Sequence, residues 1–134
     1  MQHFPTVQDY MDTRSHSISN DTDILDAVDY LLKNHVTGVP VLDDGGNVIG
    51  LLNERDCLKV IAGGSSSQMG QGNVSAFVSK NFQCIPPTMD IYYAAGLFLK
   101  EENASIRRFL VLDDGKLIGV ITRYDILRAI QAQG

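Results

Sequence analysis

An internal duplication is the feature that most constrains the fold of this chain. Residues 7–61 and residues 74–130 follow one plan, and each copy ends at a matching junction between a strand and a helix. The offset between corresponding positions varies only between 67 and 70 residues, as expected for short insertions in the loops of a duplicated unit. Because a unit of about 60 residues buries too little surface to be stable by itself, we expect the two copies to share one core. Two related halves that face each other would also create two related clefts.

The composition excludes several broad classes of function. The chain has 134 residues, a hydrophobic content of 44% and a net charge of −5, which suit one folded domain. The negative charge argues against nucleic acid as a partner and against attraction to an anionic membrane. The sequence has no apolar run long enough to cross a bilayer, and residues 1–5 lack the pattern of a secretion signal. We therefore expect a cytoplasmic protein with no membrane partner and no nucleic-acid partner.

The residue types that commonly bind metals do not form a metal-site pattern. Cys57 and Cys84 occur one in each copy, without metal-type spacing, and are interpreted as small buried apolar residues of a cytosolic protein. The histidines are far apart in sequence: His3, His16 and His35. The acidic pairs at 43–44 and 113–114 lie in predicted hairpin turns, where Asp favours the local backbone geometry. The sequence therefore predicts no metal site.

Hydrophobic spacing predicts the order strand, helix, strand, strand, helix in each copy. The first helix of each copy is expected to begin at a threonine cap, Thr22 or Thr88, and to bury one apolar face. The expected apolar positions are Ile24, Leu25, Val28, Leu31 and Leu32 in the first copy and Ile91, Ala94, Ala95, Phe98 and Leu99 in the second. An Asp-Gly turn then joins two short apolar runs in each copy, as in a hairpin. Pro40 lies inside one such run, and because proline has no N–H to donate, an edge or cleft-lining position is expected.

The junction that ends each copy carries the residues best suited to ligand chemistry. Thr122 supplies a hydroxyl at the end of a strand, and Asp125 supplies a carboxylate in the first turn of the following helix. A carboxylate accepts two hydrogen bonds at once, so the pair suits a vicinal diol such as the 2′ and 3′ hydroxyls of ribose. The helix N-terminus and a neighbouring arginine favour phosphate. The same spacing is close to a capping box, in which the side chains only satisfy the helix start, and the junction from Asn53 to Asp56 fits either interpretation.

Several motifs that recur in order in the two copies resemble one family. The segment Val36-Thr37-Gly38-Val39-Pro40-Val41, the Asp-Gly hairpin and the ending Gly119-x-x-Thr122-x-x-Asp125 strongly resemble a tandem pair of CBS (cystathionine-β-synthase) domains, also called a Bateman module. The resemblance covers almost the whole chain and implies an α+β fold of two βαββα repeats packed through their sheets with pseudo-twofold symmetry. It divides the sequence into an N-terminal tail at 1–6, a first CBS repeat at 7–62, a Gly/Ser-rich linker at 63–73 and a second CBS repeat at 74–134.

The resemblance also implies a ligand and a set of contacts. Many such pairs bind adenosine-containing molecules (AMP, ADP, ATP or S-adenosylmethionine) and dimerise into a flat disc. In the family, each cleft takes its ribose-binding Ser/Thr and Asp from one copy and its adenine-clamping backbone from the other. The first site would contain Thr122, Arg123, Asp125, His16, Val36, Thr37, Gly38 and Pro40. The second would contain Asn53, Arg55, Asp56, Gln83, Ile106, Arg107 and Arg108.

Two departures from the family pattern fall on the second site. Asn53 replaces the expected Ser or Thr, and a run that begins Ile106-Arg107-Arg108 replaces a strand of small residues with a proline. The arginine side chains either fill the adenine slot or bind phosphates. The first site is therefore the preferred one.

The motifs lead to two functional hypotheses of different classes. The first is a stand-alone, non-catalytic regulatory module that binds an adenine nucleotide of the AMP, ADP or ATP class, requires no cofactor and signals occupancy by a conformational change. It is expected to form a homodimer and to act on an unidentified regulated protein. The second is a homodimeric interaction or scaffold protein whose clefts are closed by its own side chains and which binds no nucleotide. An enzyme is disfavoured because the sequence offers no nucleophile, general base or metal set.

Overall fold

Two three-stranded sheets form the framework of the protein. The computed structural model describes residues 4–14, 16–63 and 72–133. The described parts of residues 16–81 form one compact unit, which we call the first unit. Those of residues 1–15 and 82–134 form another, which we call the second unit. The segment that precedes the first strand of the first repeat therefore belongs to the unit of the second repeat.

The same order of elements recurs in the two units. Along the described chain the elements are α1 (Val7–Tyr10), β1 (Ile18–Ser19), α2 (Ile24–Asn34), β2 (Gly38–Leu42), β3 (Val48–Asn53), α3 (Glu54–Gly63), β4 (Cys84–Ile85), α4 (Ile91–Leu99), β5 (Arg108–Asp113), β6 (Lys116–Thr122) and α5 (Arg123–Gln133). Short 3₁₀ turns lie at Val74–Ala76 and Glu101–Asn103. The sheets have the orders β1-β2-β3 and β4-β5-β6, with the first strand parallel and the last antiparallel to the central one. The α+β class and the order strand, helix, strand, strand, helix are confirmed.

Aspartates rather than threonines cap α2 and α4. Asp23 accepts a hydrogen bond from the backbone N–H two residues on at 3.3 Å, and Asp90 accepts the corresponding bond at 2.6 Å. The predicted caps at Thr22 and Thr88 are therefore wrong. Each aspartate lies closer to the helix, and its carboxylate both accepts the orphan N–H and interacts favourably with the positive end of the helix dipole.

The buried face of α2 and α4 is narrower than predicted. The residues of α2 that become buried are Ile24, Ala27 and Leu31, which recur at the spacing of one stripe. The predicted apolar positions that stay exposed are Leu25, Leu32 and Leu99, with exposed fractions of 50%, 70% and 86%. They lie roughly 100° around the helix from the buried stripe, so an apolar residue there does not reach the core of its own unit.

Each unit has its own cluster of buried apolar side chains. The cluster of the second unit includes Val7, and that of the first unit includes Val74, so each is completed by the segment that precedes the other unit's first strand. Phe98 and Phe109 stack in the second cluster with ring centroids 3.9 Å apart. The expectation that the two copies share one core stays a prediction.

The segments that precede the first strand of each repeat are fixed by paired backbone hydrogen bonds. In the second unit, the N–H of Asp12 donates to the carbonyl of Val120 at 2.8 Å, and the reverse bond measures 3.0 Å. In the first unit, Leu51 and Ser79 exchange two bonds of 2.9 Å. A Cβ placed on Gly119 would lie 2.9 Å from the Asp12 carbonyl oxygen, so a glycine is required for this approach. We call residues 5–14 the N-terminal segment.

Pro40 lies in the central strand of its sheet, so of the two expected positions, edge or cleft-lining, the edge position is wrong and the cleft-lining one stays a prediction. It is opposite Leu51, whose N–H and carbonyl are bonded to Ser79 on the far side of β3. The Pro40–Leu51 pair is therefore not hydrogen-bonded, and the ring nitrogen points away from β3. On that side β1 pairs with β2 only from the residue after Pro40, so no N–H is needed. At the corresponding position of the second unit, Leu110 donates its N–H to the carbonyl of the residue before β4.

Some sequence predictions fall on parts of the chain that the structure does not describe. Residues 64–71, which make up most of the predicted linker at 63–73, lie outside the described residues, as does His3. Within the described ranges, no helix has the length and apolar character needed to cross a bilayer.

Candidate functional site

The second unit ends in a strand-to-helix junction with reciprocal hydrogen bonds. The Oδ2 atom of Asp125 accepts from the backbone N–H of Thr122 at 2.9 Å and from its hydroxyl at 3.0 Å. In return, the N–H of Asp125 donates to the Thr122 Oγ1 atom at 3.3 Å. Thr122 ends β6 and α5 begins at the next residue, so the carboxylate lies in the first helical turn. The capping interpretation is confirmed for this junction.

The hydrogen-bonding positions that remain unused on Thr122 and Asp125 are acceptors only. A carboxylate only accepts, and the Oδ1 atom of Asp125 can take a further donor beside the one it receives. The Thr122 hydroxyl already donates its hydrogen to Asp125 and uses one lone pair for an N–H, which leaves one lone pair. A ligand group that binds both side chains must therefore donate. Two adjacent hydroxyls meet that requirement.

Two arginines are fixed beside this junction. The Nη2 atom of Arg123 donates to the carbonyl of Ile106 at 3.3 Å, and its guanidinium carbon lies 5.5 Å from the ring centroid of Phe98. The Nη2 atom of Arg128 lies 3.2 Å from the Oδ1 atom of Asp125. Together with the positive end of the dipole at a helix start, these cations favour an anionic group near the acceptor pair.

The two units differ in net charge. The second unit has 7 Lys and Arg residues against 8 Asp and Glu residues, a net charge of −1, whereas the first has 4 against 8, a net charge of −4. These values account for the net charge of −5 of the whole chain. The second unit is therefore the less repulsive surface for a phosphate.

The corresponding junction of the first unit has an asparagine in place of the threonine. The N–H of Asn53 donates to the Oδ2 atom of Asp56 at 3.1 Å, and the N–H of Asp56 donates to the Oδ1 atom of Asn53 at 2.9 Å. Asp56 is buried, whereas the neighbouring Arg55 is exposed. The capping interpretation is confirmed at this junction also. The Asn53 amide adds N–H donors, so this junction does not share the acceptor-only chemistry of its counterpart.

The backbone ahead of β2 adjoins the junction of its own unit. Gly38 is the strand partner of Asn53, and the carbonyl of Thr37 accepts the N–H of the residue after Asn53 at 3.0 Å. Val36 is half-buried and Pro40 is buried. Thr37 and Gly38 therefore adjoin the Asn53 junction, and Val36 and Pro40 belong to the same unit.

His16 and Gln83 occupy corresponding positions just before the first strand of each unit. The Nδ1 atom of His16 lies 3.2 Å from the hydroxyl of Tyr30, and the two rings meet edge to face. The Nε2 atom of Gln83 donates to the Oδ1 atom of Asn103 at 3.1 Å. The Asn103 side chain is buried and donates to the carbonyl of Leu97 at 2.7 Å. The sequence did not indicate Tyr30 or Asn103, because each contact joins residues far apart in the chain.

The remaining predicted residues of the second unit surround Thr122. Arg108 is its partner across the β5–β6 pair, and Ile106 provides the carbonyl that holds Arg123. Arg107 is exposed between them. Arginines that the resemblance assigned to the second predicted site therefore lie beside the junction assigned to the first.

The predicted first site draws on the two units. Its junction residues, Thr122, Arg123 and Asp125, belong to the second unit. The other members belong to the first unit and are His16, Val36, Thr37, Gly38 and Pro40. The structure groups each set within its own unit, and the joint site stays a prediction.

Arg128 is a residue at this junction that the sequence reasoning missed. It follows Asp125 by three positions on α5, and residues at that spacing lie side by side on a helix. An acidic residue in the first turn followed by arginine at this spacing was the signal that would have found it.

The described residues provide no set of metal ligands. Among them, no group of three or more His, Cys, Asp or Glu side chains is placed to hold a metal ion. Hydrogen bonds from Asn47 lower the pKa of Asp43, which agrees with the predicted structural role of the acid in its turn.

The two cysteines have different surroundings. Cys57 is buried, and burial raises the pKa of its thiol, with a further contribution from the charge of Asp56. Cys84 is exposed, so its predicted burial is wrong, although the surrounding protein still raises the pKa of its thiol through desolvation. Strand β4 is only two residues long, and Cys84 occupies its outward position.

A family model matches the two copies of the repeat. It describes the CBS domain and matches residues 7–63 and residues 74–132. The chain belongs to the CBS domain family. The resemblance to a tandem CBS pair is thereby confirmed, and the matched ranges differ by one or two residues from the repeats predicted at 7–62 and 74–134.

Curated relatives share most of this CBS pair. The chloroplastic CBS domain-containing protein CBSX2 of Arabidopsis thaliana is 28% identical over 92% of this chain and 63% of its own length. The 5′-AMP-activated protein kinase subunit gamma of Saccharomyces cerevisiae is 29% identical over 81% of this chain and 35% of its own length. The chain thus spans less than two thirds of the length of these relatives.

Solved structures of CBS pairs have the same fold. The crystal structure of CBSX2 in complex with AMP has a TM-score of 0.78 and 31% identity, and the match covers 96% of this chain and 98% of that chain. A CBS-domain containing protein from Agrobacterium tumefaciens has a TM-score of 0.76 and 25% identity, with 97% of each chain covered.

Proposed function

We propose that this CBS pair is a non-catalytic regulatory module that binds an adenosine-containing nucleotide and signals its occupancy by a conformational change. The observation that carries the proposal is the junction of Thr122 and Asp125, which offers hydrogen-bond acceptors only, at the start of the 11-residue helix α5. Ribose presents two adjacent donors, its 2′ and 3′ hydroxyls, and so complements this pair. A hydrogen bond to the charged carboxylate is the stronger of the two contacts.

The proposed sites combine residues of the two repeats, as the family resemblance implies. The preferred site consists of Thr122, Arg123, Asp125, His16, Val36, Thr37, Gly38 and Pro40. The second proposed site consists of Asn53, Arg55, Asp56, Gln83, Ile106, Arg107 and Arg108. The amide donors of Asn53 make the second junction a poorer match for a diol, so we expect it to bind the same nucleotide more weakly.

The phosphate of the ligand needs a different partner from the ribose. Arg123 is held by the carbonyl of Ile106, and the N–H groups at the start of α5 add the positive end of a helix dipole. The lower negative charge of the second unit also favours phosphate binding near Arg123 and the start of α5. We therefore expect AMP to bind more tightly than adenosine, and the difference to shrink as salt is added.

The relatives support an adenosine ligand. CBSX2 was crystallised in complex with AMP, and it is 31% identical to this chain in the structural comparison. The yeast relative is named as a subunit of a kinase that is activated by 5′-AMP. We therefore put AMP, ADP and ATP first among the ligands.

The energetics suit regulation. A nucleotide present at about 100 times its Kd stabilises the bound form by about 2.7 kcal/mol, which is enough to bias two pre-existing conformations. We propose that the bound nucleotide is released unchanged and that a partner protein responds to the conformation.

Calorimetry of the purified chain tests this function. AMP, ADP, ATP and S-adenosylmethionine are titrated separately, with GMP as the control for the base. We expect saturable binding of at least one adenosine compound, no binding of GMP, and recovery of intact nucleotide after prolonged incubation. Absence of binding heat and of thermal stabilisation with all four adenosine compounds would contradict the proposal.

A second candidate is a homodimeric interaction protein without a nucleotide. It is favoured by the apolar side chains on the outer face of α5, namely Tyr124, Leu127 and Ile130, with exposed fractions of 70%, 65% and 42%. Such a face is typical of an interaction surface. Native mass spectrometry separates the candidates, because this one predicts a dimer with no carried-over nucleotide and no mass shift when AMP is added. A homodimer that also binds AMP is the outcome expected from the first proposal.

A further inference from the structure

Arg128 contacts both the proposed ligand-binding carboxylate and the N-terminal segment. Its Nη2 atom lies 3.2 Å from the Oδ1 atom of Asp125 and 3.4 Å from the carbonyl oxygen of Tyr10. Its guanidinium carbon lies 6.0 Å from the centroid of the Tyr10 ring. We infer that Arg128 is a positioning residue of the ligand site and couples ligand binding to the docking of the N-terminal segment. This inference rests on the proposed nucleotide function.

The role of Arg128 follows from how the Asp125 carboxylate is used. One oxygen, Oδ2, is committed to the backbone and hydroxyl of Thr122, which caps the helix. The other oxygen, Oδ1, is the one that remains for a ribose hydroxyl, and it is the one that Arg128 contacts. Because the two oxygens share one plane, a partner on Oδ1 fixes the orientation that the ligand meets. The side chain of Asp125 is 13% exposed and that of Arg128 is 49% exposed, so the carboxylate side of this contact is largely buried while the arginine side is open to water.

The N-terminal segment reaches the junction by a second route. Asp12 exchanges two backbone hydrogen bonds with Val120, and Val120 lies on β6 two residues before Thr122. A displacement of the segment therefore acts on the strand that delivers the hydroxyl as well as on the arginine that orients the carboxylate. Both acceptors of the proposed site depend on one docked segment.

The first unit has different residues at the two positions that make this link in the second unit. The residue that corresponds to Arg128 is Lys59, and the one that corresponds to Tyr10 is Phe77. Arg128 makes both hydrogen bonds through one nitrogen, Nη2, and its planar guanidinium also lies over the Tyr10 ring, whereas a lysine ammonium is a compact point charge. Lys59→Gln is therefore the matched control, because it removes the same charge at the equivalent helix position.

Amide hydrogen exchange without ligand tests whether Arg128 holds the N-terminal segment in place. We expect the amides of Asp12 and Val120 to exchange at least about threefold faster in Arg128→Gln than in the wild-type chain, and at the wild-type rate in Lys59→Gln. Arg128 is about half exposed on a helix, so the substitution is compatible with folding. Unchanged exchange of both amides in Arg128→Gln would overturn the inference whatever the ligand.

Titrations with adenosine and AMP test the coupling. Arg128→Gln is expected to weaken the binding of both compounds by the same factor, about three- to tenfold, the effect of one hydrogen bond. Arg128→Lys should restore part of the loss. Since coupling is reciprocal, AMP should slow exchange at Asp12 and Val120 in the wild-type chain but not in Arg128→Gln.

The outcomes separate this inference from the proposed function. A wild-type chain that binds no adenosine compound contradicts the proposed function and the coupling together. The exchange measured without ligand still shows whether Arg128 holds the N-terminal segment in place. A loss confined to AMP shows a phosphate contact by Arg128 and overturns its positioning role. Unchanged adenosine affinity in Arg128→Gln, or unchanged or faster exchange on AMP binding, overturns the coupling while the proposed function stands.

Discussion

Asp125 and Thr122 close the start of α5 with hydrogen bonds in both directions, so the carboxylate proposed to bind ribose is also the cap of a helix. Capping uses Oδ2 and leaves Oδ1 for the ligand. One residue therefore serves stability and recognition with different atoms. Any substitution of Asp125 changes both properties, and its test requires a control that changes stability alone.

An exchange of the two junction residues tests the acceptor-only chemistry. Asn53→Thr gives the first unit a hydroxyl in place of an amide, and we expect its nucleotide affinity to rise about three- to tenfold. The free energy of unfolding should change by less than about 1 kcal/mol, because Asn and Thr are both good helix caps. Calorimetry measures the affinities and stoichiometry, and urea denaturation measures the stability.

The reverse variant Thr122→Asn is the matched partner of that experiment. It places amide donors beside Asp125, so the preferred site should lose affinity by a similar factor. Equal affinities in both variants and in the wild-type chain would show that the identity of the junction residue does not determine binding.

Close packing of the N-terminal segment predicts a large effect of one methyl group. A Cβ on Gly119 would lie 2.7 Å from the Met11 sulfur and 2.9 Å from the Asp12 carbonyl oxygen. Gly119→Ala is therefore expected to lower the free energy of unfolding by about 1–3 kcal/mol. Gly96→Ala, in α4 with no atom within 4 Å of the added group, should instead raise it by about 0.5–1 kcal/mol. Urea denaturation of the two variants measures the size and the sign of each change in the free energy of unfolding. Equal changes in the two variants would contradict the close approach of the segment to Gly119.

The buried amide of Asn103 predicts a further loss of stability. Asn103→Leu removes the donor to the carbonyl of Leu97 and the acceptor of Gln83, so we expect the free energy of unfolding to fall by about 1–3 kcal/mol. Asn34 makes a single exposed hydrogen bond to a helix carbonyl, so Asn34→Ala should change the free energy of unfolding by less than about 0.5 kcal/mol. A loss of equal size in the two variants would refute the importance of burial.

The cysteines should differ in their rate of alkylation. Exposed Cys84 should react with iodoacetamide at least about tenfold faster than buried Cys57, which reacts only through local opening. The thiolate is the reactive form and the pKa of each thiol is raised, so at a given pH below the pKa less thiolate is present. Both rates should therefore keep rising with pH beyond about 8.5, the usual thiol pKa. Peptide mass spectrometry of partly labelled protein measures the rates, and a plateau near pH 8.5 would contradict the raised values.

The repeated elements were predictable because their signals are local. Asp-Gly turns between apolar runs predicted both hairpins, and the spacing of Ile24 and Leu31 predicted a helix. The helix caps were predicted wrongly because neighbouring residues compete to accept the same N–H groups. Asp23 replaced Thr22 as the cap because two residues able to accept the same N–H groups are adjacent, and their order alone does not rank them.

The contacts that complete the units were not predictable from one repeat. The N-terminal segment precedes the first strand of the first repeat, yet its residue Val7 is buried in the second unit. No periodicity within a short segment says which sheet it will join. The Thr122–Asp125 pair was found from its spacing, whereas the contact between Arg128 and Tyr10 joins residues more than 100 positions apart.

The most direct test of the central claim is the titration of AMP into Asp125→Ala, with Asp90→Ala as the control. Asp90 caps α4 in the same unit, so both variants should lose about 0.5–2 kcal/mol of stability. We predict that Asp125→Ala also loses about 1.5–3 kcal/mol of AMP binding, whereas Asp90→Ala keeps the wild-type affinity. A wild-type affinity for AMP in Asp125→Ala would contradict the account.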